Sequence, residues 1–470
     1  MTVSVREWIA SGIVAAALLA GCAIGPDYKR PSVAEPQTFR GQATAEASSL
    51  ADEPWWEVFR DPVLKGLIQE ALSRNYDVRI AAARVQEAQA ILRVARSDLY
   101  PSLDYSGGVS RSNITPGVLG GPGGQAPTTS NFYSGTLSAS WELDIWGRIR
   151  RSNEAARATL FATEDARRGV WLTLVSDLAQ AYFELLELDV RLQIARNSTD
   201  AYQRTYDLFL DRFTLGVASK LETSRALGAL GDAQATIPQL ESDIVAKENQ
   251  ISILLGTTPT PVARGKPMYE QPVVPTVPAG LPSALLERRP DLRQAEQQLV
   301  SANARIGVAK AEFFPKLDLT SLIGTASPEV SALTGGTATI WAVAGMFSGP
   351  LFNAGRTLGN YRASIAQWEQ ARLFYEQAVL TALGKLNEAE TGQTTAVKAL
   401  GEAVEHATDR YRQGLANYFE VLEAQQQLYP AQNTLAQIRL NRLVAYVQLY
   451  RALGGGWSLT DAQWTAANGM

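Results

Sequence analysis

The one cysteine of this 470-residue chain closes the run Leu19-Ala20-Gly21-Cys22, and its thiol is the group whose chemistry the sequence states most openly. Arg6 is the only basic residue ahead of a short apolar run from Trp8 to Leu19. That run is too short for a bilayer, which needs ~20 residues, and reads as the core of a signal peptide over 1–21. Leu19-Ala20-Gly21-Cys22 has the form of the bacterial lipoprotein cleavage box. Cleavage there leaves Cys22 as a lipidated first residue, the only covalent group expected and no cofactor in the catalytic sense. Each buried lipid methylene contributes about 0.8 kcal/mol, so several acyl chains on one residue anchor firmly. Residue 23 is Ala rather than the Asp that tends to retain lipoproteins in the inner membrane, which points to the outer membrane. An ordinary signal peptide that happens to contain a cysteine is the alternative.

Catalysis finds little to work with. His406 is the single histidine, and with Cys22 acylated no thiol remains. Histidine-dependent triads and the usual zinc sites are thereby excluded. The glycine-rich stretch 117–124 lacks the Lys-Ser/Thr ending of a phosphate-binding loop. The net charge is −4 and no dense Lys/Arg patch suggests nucleic acid. No catalytic residue and no metal site is expected.

The remaining candidates sit at a feature that occurs twice. "DRFTLGVASKLE" (211–222) interrupts a long helical pattern, and "DRYRQGLANYFE" (409–420) does so again. Arg212, Gly216, Ala218 and Glu222 fall on Arg410, Gly414, Ala416 and Glu420 at one constant spacing. Each break reads as a helix stop at glycine, a basic residue in the last turn, and a restart. Ser219 with Glu222 matches a capping box, and Asn417 with Glu420 is its analogue. The result is a tight αα-hairpin. Beyond the second break Phe419, Glu423 and Gln426 recur at i, i+4 and i+7, where the first copy has Leu221, Arg225 and Gly228.

These breaks belong to a duplicated plan of helix, two strands, helix, break, helix. "ARSDLYPSLD" (95–104) matches "AKAEFFPKLD" (309–318). The division expected is a signal peptide at 1–21, a lipid-anchored segment at 22–60, a first repeat at 61–256, a Pro-rich linker at 257–282, a second repeat at 283–456 and a tail at 457–470. Residues 132–143 alternate with period two, Tyr133, Leu137, Ala139 and Trp141 against Ser134, Thr136, Ser138 and Ser140. Partner strands are expected near 102–114, 315–325 and 337–348. About 10 residues suits a membrane-spanning strand; a soluble hairpin pair with one buried face has the same pattern. From Trp171 an apolar 3-4 spacing runs through Leu174, Leu178, Leu185, Leu192, Tyr202 and Phe209 to Phe213, as in coiled-coil packing. A helix from about 150 to 212 would be about 95 Å long at ~1.5 Å per residue. Four strands cannot close, and open edges are not tolerated in lipid. Two copies would give a filled eight-stranded barrel; three would give twelve strands and a lumen. Four long helices per copy would likewise give a cylinder of twelve.

Cys22 with "GPDYKRP" (25–31), "PWWEVFRDPVLKGLI" (54–68), the duplicated plan and the paired breaks together resemble the TolC/OprM class of outer-membrane efflux channels, and within it the lipoprotein subunits of tripartite, RND-type pumps. The resemblance implies an α+β membrane protein. Its duplicated helical hairpins would form a periplasmic α-barrel and its four transmembrane strands per chain a twelve-stranded trimeric β-barrel. It implies a homotrimer set in outer-membrane lipid, a periplasmic adaptor and an inner-membrane pump, with this chain as passive duct. Adaptor contacts would fall at Gly216, Val217, Ser219, Gly414, Leu415 and Asn417. A periplasmic constriction would be lined by Phe419, Glu423 and Gln426, with Tyr411 facing. The family carries Leu, Asp and a nearby Arg at the first three of these. The missing Arg argues against a simple intrachain salt-bridge lock, while a lock through another basic residue stays open. Type I protein secretion and a structural coiled-coil lipoprotein spanning the envelope are the alternative functions.

Overall fold

The computed structural model describes residues 23–32, 49–114, 128–216, 219–271, 285–334, 338–382, 418–460 and 463–464. In chain order the main elements are α1 (Pro62–Arg74), α2 (Tyr76–Ser97), β1 (Ser102–Ile114), β2 (Thr128–Leu143), α3 (Arg148–Thr214) and α4 (Lys220–Leu255). Then come α5 (Pro290–Ala311), β3 (Lys316–Ser327), β4 (Thr339–Ser348), α6 (356–382) and α7 (Tyr418–Ala452). They fall into two compact units. One comprises the N-terminus to Pro31, Val85–Ala162 and Ala295–Tyr375; the other comprises Ser32–Arg84, Thr163–Gln294 and Glu376–Met470.

The first unit is built on one four-stranded antiparallel sheet of order β1-β2-β3-β4. Its register follows from the alternation. Tyr105 lies opposite Leu137, Leu137 opposite Ile323, and Ile323 opposite Trp341. Cross-strand partners share a face, so these four make an apolar row across all four strands. The reverse face is polar on β1 and β2, where Ser102 and Ser140 hydroxyls meet at 2.9 Å and Ser106 and Thr136 at 2.7 Å, while β4 brings Ile340, Ala342, Ala344 and Met346 to it. Strand β2 begins at Thr128, ahead of the alternating pattern that starts at residue 132. Thr128–Asn131 lack that pattern but are held by pairing with 111–114. In the same unit Val85, Ala88 and Leu92 of α2 pack on Leu160 of α3.

The second unit is helical. Helix α3 is 67 residues long, two residues longer at each end than the span of about 150–212 expected from the sequence. Its stripe is the core: Leu178 and Leu185 are fully buried, and Leu188 and Ala195 pack on Leu240 of α4, flanked by Ile237, Ile244 and Tyr429. Among the described residues, no helix is long and apolar enough to cross a membrane.

Candidate functional site

The sheet presents a wet wall and a greasy one. Toward the strand ends that meet α3, the polar face carries Glu142 and Asp318, directly opposite one another. Two like charges at that spacing repel, and the chain neutralises Glu142 by a bidentate pair with Arg148 at 2.8 and 2.7 Å. That pairing holds the Arg148 guanidinium charged, raising its already high pKa against the opposing effect of burial. An open concavity of about 770 Å³ is bordered there by Ser140, Glu142, Arg148, Asp318 and Thr320. On the opposite wall Tyr105, Val109, Trp341 and Phe347 are exposed in the single chain. An exposed apolar surface of this extent signals a lipid or protein contact.

The strand-to-helix turn after β2 is tightly built. Asp144 accepts from the Ile149 and Arg150 amides at 3.0 and 2.9 Å, capping α3. The Trp146 indole stacks on Phe314 at 4.8 Å and donates to the Pro315 carbonyl at 2.8 Å. Residues 23–31 lie over this turn as a strap. Its Ile24 amide donates to the Trp146 carbonyl at 2.9 Å. Asn303 holds the Pro26 carbonyl, Arg151 holds Asp27 at 2.7 Å, and Arg30 grips Glu296 through two bonds of 2.7 and 2.8 Å. Tyr28 donates to the same carboxylate at 3.1 Å, and burial beside that charge pushes its phenol far above the usual value. The strap needs a bare backbone beneath it: a Cβ on Gly307 would stand 2.7 Å from the Ile24 carbonyl oxygen. Cys22, the residue before this strap, lies outside the described residues.

At the hairpin tip α3 ends as its residues dictate. Arg212 sits in the last turn, and Gly216 takes φ +74°, a left-handed conformation that costs glycine little. Its amide closes on the Phe213 carbonyl at 2.9 Å. Ser219 restarts the chain with a complete capping box: its amide donates to Glu222 Oε2 at 2.8 Å, and its hydroxyl accepts from the Glu222 amide at 3.3 Å. Leu215 and Leu221 flank the turn and are largely exposed. Val217 lies outside the described residues, as do Tyr411, Gly414, Leu415 and Asn417 of the second break. Phe419, Glu423 and Gln426 fall within α7, where the backbone is helical.

A further polar centre is not announced by the sequence. Asp61 is 1 % exposed and gathers five donors. Its Oδ1 accepts from the Val63 and Leu64 amides at 2.9 and 3.3 Å, capping α1. Its Oδ2 accepts from the Lys266 amide at 3.0 Å, Gln271 Nε2 at 2.7 Å and the Tyr182 hydroxyl at 3.2 Å. Tyr182 in turn accepts from the Gly265 amide at 2.7 Å. Nearby, Arg264 pairs with Asp189 at 2.9 Å and with Glu248. The stretch 257–271 is therefore a pinned segment rather than a free tether. Asp before Pro62 signals the helix cap; the other partners lie too far along the chain to be foreseen.

Comparison with known proteins agrees with this construction. The family profile described as "Outer membrane efflux protein" matches residues 67–257 and 281–455, one span for each repeat. The cation efflux system protein CusC of Escherichia coli O6:H1 is 35% identical, covering 93% of this chain and 96% of that one. The probable outer membrane lipoprotein SilC of Salmonella typhimurium is 33% identical over 94% and 97%. Among solved structures, the open-state outer membrane channel MtrE of Neisseria gonorrhoeae superposes with a TM-score of 0.83 at 29% identity, covering 93% of this chain and 99% of that one. The chain thus belongs to the outer membrane efflux protein family, whose members are transporters of the outer membrane rather than enzymes.

Proposed function

We propose that three copies of this chain close into a twelve-stranded barrel continued by a helical cylinder. The assembly serves as the passive exit duct of a tripartite pump. The observation that carries this reading is the sheet itself. It has four strands, two unpaired edges, one exposed apolar face and one face lined with hydroxyls on β1 and β2. Such a sheet is stable in lipid only when its edges are closed, and twelve strands leave a wet lumen. Cys22 carries the lipid, and the strap at 23–31 holds that end of the chain at the base of the strands. The duct supplies no energy; adaptor and inner-membrane pump choose the cargo. Adaptor contact falls on the hairpin tips, at Gly216, Val217 and Ser219 and at Gly414, Leu415 and Asn417. The exposed Leu215 and Leu221 beside the first tip support that assignment. The resting constriction is formed by Phe419 and Glu423, with Tyr411 and Gln426 beside them, and opens when partners splay the tips.

The test is single-channel conductance in planar bilayers. The wild-type trimer is expected to conduct weakly at rest, and Phe419→Ala combined with Glu423→Ala to raise conductance severalfold. Unchanged conductance moves the constriction elsewhere. An absence of channels in every preparation overturns the duct.

A further inference from the structure

The packing of the helical unit changes character past the contact of Ala195 with Leu240. There the facing turns of α3, α4 and α7 border a concavity of about 240 Å³, lined by Ser198 and Tyr202 of α3, Asp232 and Thr236 of α4, and Tyr429 of α7. The other two lining residues, Ala229 and Ala233, are small and leave the room. Tyr202 is 8 % exposed. Burial raises its pKa above the usual phenol value, and Tyr429 beside it adds to the effect, so its hydroxyl stays protonated. Thr236 donates to the Ala233 carbonyl at 2.7 Å. Among the described residues, neither phenol hydroxyl, nor Ser198 Oγ, nor the Asp232 carboxylate has a hydrogen-bond or ion-pair partner. Buried polar groups in folded chains are nearly always hydrogen-bonded, so a buried phenol left open beside a carboxylate and a second phenol points to a guest molecule. Helix packing does not demand this set. At the spacing that relates the two breaks, Ser198, Tyr202 and Asp232 fall on Ala396, Leu400 and Pro430. The same three positions are apolar in the second repeat, and the polar set belongs to the first hairpin.

We propose that this concavity binds a small organic ammonium ion carrying one aromatic ring. Asp232 supplies the opposing charge. Ser198 Oγ and the phenol oxygens accept from the ammonium N–H groups, and the Tyr202 and Tyr429 rings pack on the ring and the cation of the ligand. None of the described lining residues is basic, so an anion would meet a carboxylate with no counter-charge. The size agrees: an apolar cavity of about 150 Å³ takes benzene, and the further room here is that of a short chain ending in an ammonium group. The groups that bind are drawn from one chain, so the site stands apart from the ring closure proposed above.

Full-length protein in detergent micelles is titrated calorimetrically with phenethylammonium at about pH 7, with micelles alone as the blank. Phenethyl alcohol and phenylacetate serve as the neutral and anionic counterparts. Saturable binding of one ammonium ion per chain is expected, roughly tenfold tighter than either counterpart. Asp232→Asn should weaken it about tenfold, since it removes the charge and keeps the shape. Tyr202→Leu, which installs the residue found at the equivalent position of the second repeat, should abolish it. Asp200→Asn, at an exposed carboxylate close by on α3, should bind as wild type does. The thermal midpoint of each variant is read alongside, and Asp232→Asn, at an exposed position, is expected to keep that of the wild type. Absent binding to the wild-type protein, equal affinity for phenylacetate, or wild-type affinity in both Asp232→Asn and Tyr202→Leu overturns the proposal. A loss in Asp200→Asn as large as in Asp232→Asn assigns the effect to surface charge and overturns it too.

Discussion

Asp61 and Ser219 each cap the start of a helix, and the two caps are stabilised in opposite ways. Asp61 draws its donors from α1, from α3 through Tyr182, and from the segment 265–271. The tip satisfies itself: every bond of its capping box lies within Ser219–Glu222. A buried carboxylate with five donors fixes distant segments against each other, because losing it leaves several buried donors without partners. A self-contained cap fixes only its own turn and leaves Leu215 and Leu221 available. The first arrangement suits a part that must keep its shape; the second fits the adaptor contact proposed for the tip.

The largest effect that would break this contrast comes from Asp61→Ala. Three segments lose their common acceptor, at a cost on the order of 3 kcal/mol. Hydrogen exchange at the Gly265 and Lys266 amides should accelerate about a hundredfold, while amides of the tip keep their wild-type rates. Equal acceleration at both places would mean that Asp61 supports the chain only globally.

Glu187 separates the donors from the burial. It is 4 % exposed at its side chain, and among the described residues its Oε1 has no hydrogen-bond partner, with the Arg191 guanidinium 3.8 Å away. Burial raises its pKa above the ordinary carboxylate value of 4.5, an effect that Arg191 offsets in part. The folded state therefore holds this proton more tightly than the unfolded state. Stability from this group is greatest below about pH 4.5 and declines as pH rises through the folded pKa. Glu187→Gln should raise the thermal midpoint at pH 7 and lose that advantage at pH 4. A pH-independent difference would assign the effect to packing.

The smallest effect belongs to the tip. Ser219→Ala removes one cap and should cost about 1 kcal/mol, seen as faster exchange of the Glu222 and Thr223 amides with the global thermal midpoint unchanged. A fall in that midpoint would show the tip to be coupled to the core after all.

What the sequence makes legible follows the range of the interactions. The strands are readable because alternation is local; the first four residues of β2 and the last two of β3 escape, since Thr128–Asn131 depend on pairing with β1 and Ala326–Ser327 on pairing with β2. The helix α3 is readable from its stripe, and the Gly216 stop and Ser219 cap from four or five neighbouring residues. Asp61 is readable as a cap and no further, because Tyr182 and Gln271 lie 121 and 210 residues away. The strap is invisible for the same reason: nothing near Arg30 announces Glu296. The constriction at Phe419 and Glu423 is argued from family resemblance and from divergence between the repeats, and its side chains lie outside the described residues.

The strap also sets an order of events. Arg30 and Glu296 are 266 positions apart, and Asn303 reaches back 277 to Pro26. The chain is made from its N-terminus at about 5–20 residues per second, so residues 23–31 wait on the order of tens of seconds before α5 exists to receive them. The entropy of closing so long a loop grows only logarithmically with its length; the delay comes from synthesis itself. Residues 23–31, made long before their partners, are thus among the last to find their place, once α5 has folded beneath them.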